Sequence, residues 1–261
     1  MTGRALVVAA HGSSEPAVNE GIRELARRVG RRLGFDEAIA AFHQGEPAFS
    51  RALDDLSSDQ VVVVPLLQCE GYYCRRVLPA ELARNRRFPS LRLRQTQAVG
   101  VHPRLDEALA RRVAELVARH ALAKPAVALV GHGTARHRGS RQAAEASARE
   151  LEGRTGLPAR AFFLDEEPAV ESVARYAPAA DVVVVPLLIG AGRHATRDLE
   201  SRLGVSATGD ALGAHDFERG DRAGGAAVWA RAGGSTLLLD RPFGLDPAIE
   251  DLVADLASAP C

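Results

Sequence analysis

Ala126 to Arg141 reads AVALVGHGTARHRGSR. Its apolar run, Ala126 to Val130, has the length and composition of a buried strand. The run stops at Gly131-His132-Gly133-Thr134, ahead of a polar segment that leads into a helical pattern. A strand ending in Gly-His-Gly places one imidazole at the carboxyl edge of a sheet, where open α/β folds build their sites. The flanking glycines leave room for a bulky ligand against the backbone. The same arrangement occurs earlier as LVVAAHGS, Leu6 to Ser13.

That recurrence is one of several at a single offset. His11-Gly12 returns as His132-Gly133, 121 residues later (132 − 11), and Glu46-Pro47 returns as Glu167-Pro168. Val61 to Leu67, VVVVPLL, returns as Val182 to Leu188, Gly71 as Gly192 and Leu82 as Leu203. Separate blocks sharing one offset indicate an internal duplication.

Each half reads as alternating strands and helices. In the first, strands are expected at Ala5–Ala10, Ala38–Phe42, Val61–Leu67 and Leu91–Gln95. Helices are expected at Pro16–Leu33, Pro47–Leu56, Leu78–Arg86 and Arg104–Ala121. Val18, Ile22, Leu25, Val29 and Leu33 share one helical face, and the run Val61–Leu67 suits a parallel strand covered on both sides.

The second half repeats the order. Strands fall at Val127–Val130, Ala159–Leu164, Val182–Leu188 and Thr236–Leu239, and helices at Ser140–Glu152, Pro168–Tyr176, Thr196–Leu203 and Pro247–Leu256. Asp246-Pro247 stands where the first half has His102-Pro103, at an offset of 144. About 23 residues are therefore inserted (144 − 121), within a Gly- and Ala-rich stretch near 205–234 that is expected to form a surface loop or short hairpin.

The predicted architecture is α/β: two tandem Rossmann-like lobes, each with a four-stranded parallel sheet, at 1–124 and 125–261. A cleft between the carboxyl edges of the lobes is the expected ligand site.

Composition excludes several classes of function. Formal net charge is zero, so no global attraction to nucleic acid or an anionic membrane exists. No run approaches the roughly 18–20 apolar residues needed to span a bilayer. The opening MTGRALVVAAHG carries too short an apolar run for a signal peptide, and a cytoplasmic location is expected. Three cysteines, Cys69, Cys74 and Cys261, are too few for a disulfide framework. They also fall short of the four thiolates of an iron–sulfur cluster. Neither a Walker loop nor a Gly-x-Gly-x-x-Gly after a strand is present, so no nucleotide cofactor is expected.

Three groups of the second half converge on the strand ends. His132 closes the first strand, Glu167 follows the second, and His194 lies just past the third in PLLIGAGRH. Two imidazoles and a carboxylate suit a divalent first-row metal with open positions, and they equally suit proton transfer near neutral pH. Arg136, Arg138 and Arg141 lie beside a helix N-terminus and suit carboxylate binding, with Thr134 as a neutral donor.

The combination His132-Gly133-Thr134, Glu167-Pro168 and VVVVPLL followed by Gly192-Arg193-His194 and Asp198 resembles the sirohydrochlorin chelatase family of class II chelatases. The resemblance covers nearly the whole chain outside the insert. It implies ATP-independent insertion of Co²⁺ or Fe²⁺, the metal being a substrate, into sirohydrochlorin for cobalamin or sirohaem synthesis. It further implies that His132 and His194 hold the metal with Glu167 assisting, and that the partners are the tetrapyrrole and the ion, with the chain a monomer or homodimer.

The first half departs from the pattern. His11, Ser13 and Glu46 are kept, but Tyr73 occupies the position matching His194. The main site is therefore expected on His132 and His194, with His11 and Ser13 on the substrate side. His43, His102, His120, His137 and His215 are read as structural or merely exposed. Two other readings are a non-catalytic tetrapyrrole or metal carrier and a phosphotransferase using His132. The latter is weakened because Gly131 and Ala10 stand where an arginine would precede His-Gly.

Overall fold

The computed structural model describes residues 3–13, 16–133, 139–177, 181–189, 193–203, 228–232 and 235–259. The first sheet is built from β1 (Arg4–Gly12), β2 (Glu37–Gln44), β3 (Gln60–Leu66) and β4 (Arg92–Gln95), all parallel, in the order β2-β1-β3-β4. Both alternating residue sets of β1 are fully buried from Ala5 to Ala10, so the sheet is covered on two faces. Ala5, Val7, Ala9, Val61 and Val63 pack with Phe49, Leu53 and two leucines, Leu78 and Leu82, of α2 (Leu78–Ala83). Each such large side chain contributes about 1.5–3 kcal/mol by leaving water. α1 (Pro16–Leu33) packs on β1 and β2, burying Ile22, Leu25, Ala26 and Val29, as its 3.6-residue periodicity predicts.

The second sheet carries four parallel strands in the same relative order: β5 (Ala126–Gly131), β6 (Ala159–Phe163), β7 (Asp181–Pro186) and β9 (Ser235–Leu239). To these the inserted stretch adds β8 (Val228–Ala232), antiparallel to β9, giving the order β6-β5-β7-β9-β8. The end of the insert thus forms a hairpin strand, while 204–227 lies outside the described residues. Ala126, Ala128, Val130, Val182, Val184, Leu237 and Leu239 share a core with Phe162, Val170, Val173, Leu199 and Leu203. α4 (Gly139–Thr155) packs on β5 and β6.

The compact units do not divide the chain at the boundary between the repeats. One comprises 1–105 with 189–193 and 246–261, and the other comprises 106–188 with 194–245. Each closing helix is therefore counted with the other repeat's sheet. α7 (Ala248–Ser258) packs on α1 and β3, tied by Arg28–Glu250 (2.7 Å), Arg32–Asp251 (2.6 Å) and Arg104–Asp255 (2.6 Å). α3 (Leu105–Arg119) sends Arg112 to Asp240, the residue after β9, in a bidentate pair with side chains 6% and 1% exposed.

Two expected helices begin later than their sequence pattern and lose most of its length. After Glu46-Pro47, Ala48 stays extended and bridges Phe42, whose N–H donates to the Pro47 carbonyl at 2.9 Å; only the turn Phe49–Arg51 is helical. The equivalent Phe163–Ala169 bridge delays the second helix, leaving α5 at Val173–Tyr176. The next helix, α6 (Arg193–Arg202), begins three residues earlier than expected. Among the described residues no helix is long and apolar enough to cross a membrane.

Candidate functional site

β5 ends at Gly131, and the ladder with the following strand continues past its formal end. Leu164 N–H donates to the Gly131 and His132 carbonyls (3.1 Å each) and Asp165 N–H to His132 O (2.9 Å). Gly133 then turns the chain with φ +75°, where a Cβ would lie 2.8 Å from Glu166 Cγ. These backbone bonds bring Asp165 to His132, with Oδ2 3.1 Å from Nδ1. The Gly133 carbonyl is 3.3 Å from the same nitrogen. Both neighbours of Nδ1 are acceptors, so the neutral ring carries its proton there and Nε2 keeps a lone pair. A carboxylate behind an imidazole in this way fixes tautomer and ring orientation for a metal-binding histidine. The side chains are 59% and 56% exposed, so the pair is open to ligand and adds little to stability.

The other expected residues fall in different places. His194 is the second residue of α6, in its first turn beyond the carboxyl end of β7; its side chain lies outside the described set. Thr134, Arg136 and Arg138 lie wholly outside it. Glu167 closes its own turn by accepting the Ala169 N–H (2.9 Å). Arg141 is held by Glu166 (3.0 Å), Glu145 (3.1 Å) and the Glu167 carbonyl, over the ring of Phe163. The bond to Glu166 raises its already high pKa, and the guanidinium serves the loop rather than standing ready for a ligand.

In the other unit, the Ser13 backbone is clamped by the Asn19 amide, which accepts from its N–H and donates to its carbonyl (2.9 Å each). His11 packs against His43 and Tyr73 at ring-centroid distances of 5.2 and 5.0 Å. Sequence reading missed both Asp165 and His43. Their signal is position: His43 is the penultimate residue of β2 and Asp165 lies two residues past β6, each strand next to one that carries a His-Gly. Burial first, then Glu70, pushes the Cys74 thiol up to about 12, so it stays protonated beside that carboxylate. Among the described residues no three His, Cys, Asp or Glu side chains form a ready metal site. The described part of the second unit's site is the His132–Asp165 pair.

Comparison with known proteins identifies the family and the fold. The CbiX family profile matches twice in tandem, over residues 5–116 and 126–259. The probable sirohydrochlorin cobaltochelatase of Halobacterium salinarum is 31% identical over 220 residues, 75% of each chain. The fold matches CbiX, the terminal enzyme for biosynthesis of siroheme in denitrifying bacteria, with a TM-score of 0.72 at 20% identity, over 99% of this chain and 100% of that one. It also matches SirB from Bacillus subtilis with Fe³⁺, with a TM-score of 0.71 at 16% identity over 99% and 96%. With a profile spanning nearly its whole length in two copies, the chain belongs to the CbiX family of class II sirohydrochlorin chelatases.

Proposed function

We propose that this chain inserts Co²⁺ or Fe²⁺ into sirohydrochlorin, serving cobalamin or sirohaem biosynthesis. The observation that carries the site assignment is the His132–Asp165 pair at the end of β5. His132 offers Nε2 to the ion while Asp165 holds Nδ1–H. His194, in the first turn of α6, supplies the second imidazole. The macrocycle must lose two pyrrole protons as the ion exchanges its protein ligands for ring nitrogens, and a carboxylate beside the imidazole is a suitable acceptor. Asp165 takes the acidic role in this reading, because the Glu167 carboxylate caps its own turn. Thr134, Arg136 and Arg138 bind the substrate carboxylates, and His11 and Ser13 belong to the substrate side.

The test is metal insertion into sirohydrochlorin followed by its absorption change. His132→Ala and His194→Ala abolish the enzymatic rate above the spontaneous one, and His11→Ala only weakens it. A wild-type rate equal to the spontaneous one makes the protein a tetrapyrrole or metal carrier instead.

A further inference from the structure

The carboxyl edge of the first sheet carries an exposed group of rings whose residue types do not recur at the equivalent positions of the second half. The register pairs Ala10 with Phe42 and Gly12 with Gln44, so His11 and His43 stand side by side on one face of adjacent parallel strands. Their rings are tilted by only 39°. Tyr73 stands against both, at 86° to His11 and 64° to His43, with centroids 5.0 and 4.9 Å away. Tyr72 extends the group, 6.0 Å from Tyr73, and the two tyrosines are 56% and 38% exposed, the most exposed large hydrophobic side chains among the described residues. Behind His43 lies Phe49, which is 2% exposed and belongs to the core, so the group has a firm backing.

The equivalent positions of the second half are His132, Leu164 and His194: two imidazoles and a core leucine. A metal site needs lone pairs converging on a point. The first half has exchanged one imidazole for a phenol and added another imidazole, and its rings meet through faces and edges. Tyr73 also opens a π-helical turn, Tyr73–Val77, a local irregularity often found at functional sites. Strand order reverses between β1 and β3, and ligands bind beside such switch points in open parallel sheets.

We infer that His11, His43, Tyr72 and Tyr73 form a platform for the flat face of the conjugated macrocycle, with the imidazoles beneath the ring and Tyr73 against its rim. The inference rests on the functional reading above for the identity of the macrocycle. It assigns these four side chains of the first half a part in holding the tetrapyrrole.

The test is titration of metal-free sirohydrochlorin into the full-length protein, read by its fluorescence with no metal present. Tyr73→Leu raises Kd about fivefold, the loss of one ring contact, and Tyr72→Leu/Tyr73→Leu raises it further, while Tyr73→Phe recovers the affinity that Tyr73→Leu loses. A double leucine variant with native circular dichroism and wild-type Kd overturns the inference and leaves the chelatase reading standing. A wild type that binds the macrocycle through these tyrosines but inserts no metal overturns the chelatase reading and leaves the platform.

Discussion

Asp240→Ala removes one partner of the most deeply buried ion pair described in the chain. Arg112 on α3 donates Nε to Asp240 Oδ2 at 2.8 Å and Nη2 to Oδ1, and the two side chains are 6% and 1% exposed. The alanine leaves a guanidinium in the interior, and truncating one member of such a pair costs about 3–5 kcal/mol. Glu115, 3.7 Å from Arg112 Nη1 and half-exposed, offsets part of that loss. The expected cost is therefore near the lower end, about 3 kcal/mol, which moves a urea midpoint by about 1 M. Because the pair joins α3 to the strand end after β9, the transition affected is that of the second compact unit. Arg112→Met/Asp240→Leu, which removes both charges and keeps apolar volume, recovers most of the loss. Urea unfolding followed by circular dichroism measures all three proteins. A loss below 1 kcal/mol for Asp240→Ala, or a double variant as unstable as the single one, refutes the assignment of this pair as the anchor of α3.

Four further outcomes are expected. Asp165→Ala frees the His132 ring and lowers Co²⁺ affinity about 10–100-fold, with a smaller loss in Asp165→Asn, whose amide oxygen still accepts from Nδ1; a titration with Co²⁺ measures it. Gly133→Ala forces an alanine to φ +75° against Glu166 and Phe163 and costs at least about 1–2 kcal/mol in thermal unfolding. Gly21→Ala in α1, with nothing within 4 Å, instead stabilises by about 0.5–1 kcal/mol. Burial above all holds the His102 imidazole below its ordinary value of 6.5, with Asp255 pulling upward and Arg104 downward. The unfolded chain then binds that proton more readily, so the contribution is complete above about pH 6.5 and declines as pH falls from there toward the folded value. His102→Gln flattens that part of the stability profile between pH 7.5 and 5.5, and an unchanged slope refutes the assignment.

The architecture was legible because it depends on features that a chain writes locally. Val61–Val64 and Val182–Val185 are β-branched runs too apolar for any place but a covered parallel strand, and both are central strands of their sheets. The constant 121-residue offset survives in the backbone, down to left-handed glycines at Gly12 and Gly133 and paired bridges at Phe42–Ala48 and Phe163–Ala169. What pattern reading missed depends on contacts distant in sequence. The helix expected over Pro47–Leu56 is reduced to the turn Phe49–Arg51 where the Phe42 N–H takes the Pro47 carbonyl into the ladder. The destination of each closing helix is decided by partners such as Asp240 for Arg112, 128 residues away, and no periodicity records that choice.

The site was half legible for a related reason. Searching for what the halves share finds His11 with His132 and Glu46 with Glu167, each glutamate preceding a proline beside a paired bridge. In the second half that carboxylate accepts the Ala169 N–H. Other features of the two edges lie where the copies have parted. Asp165, against His132, has Gln44 as its counterpart; His43, in the ring group, has Leu164; Tyr73 has His194. At each of these three positions a polar or aromatic group in one half faces a residue of different chemistry in the other. Leu164 makes the point most directly: it is 5% exposed and packs with Phe162 and Val170, so the second half spends on its core the position that the first half presents to solvent as His43. Exchanging the two residues therefore tests the division of labour. Leu164→His buries an imidazole in an apolar cluster and destabilises the second unit by about 2–3 kcal/mol. His43→Leu changes a solvent-facing position, leaves stability within about 0.5 kcal/mol and acts on macrocycle affinity alone. Equal stability losses in the two variants, measured by urea unfolding, contradict the view that the halves have separated these roles.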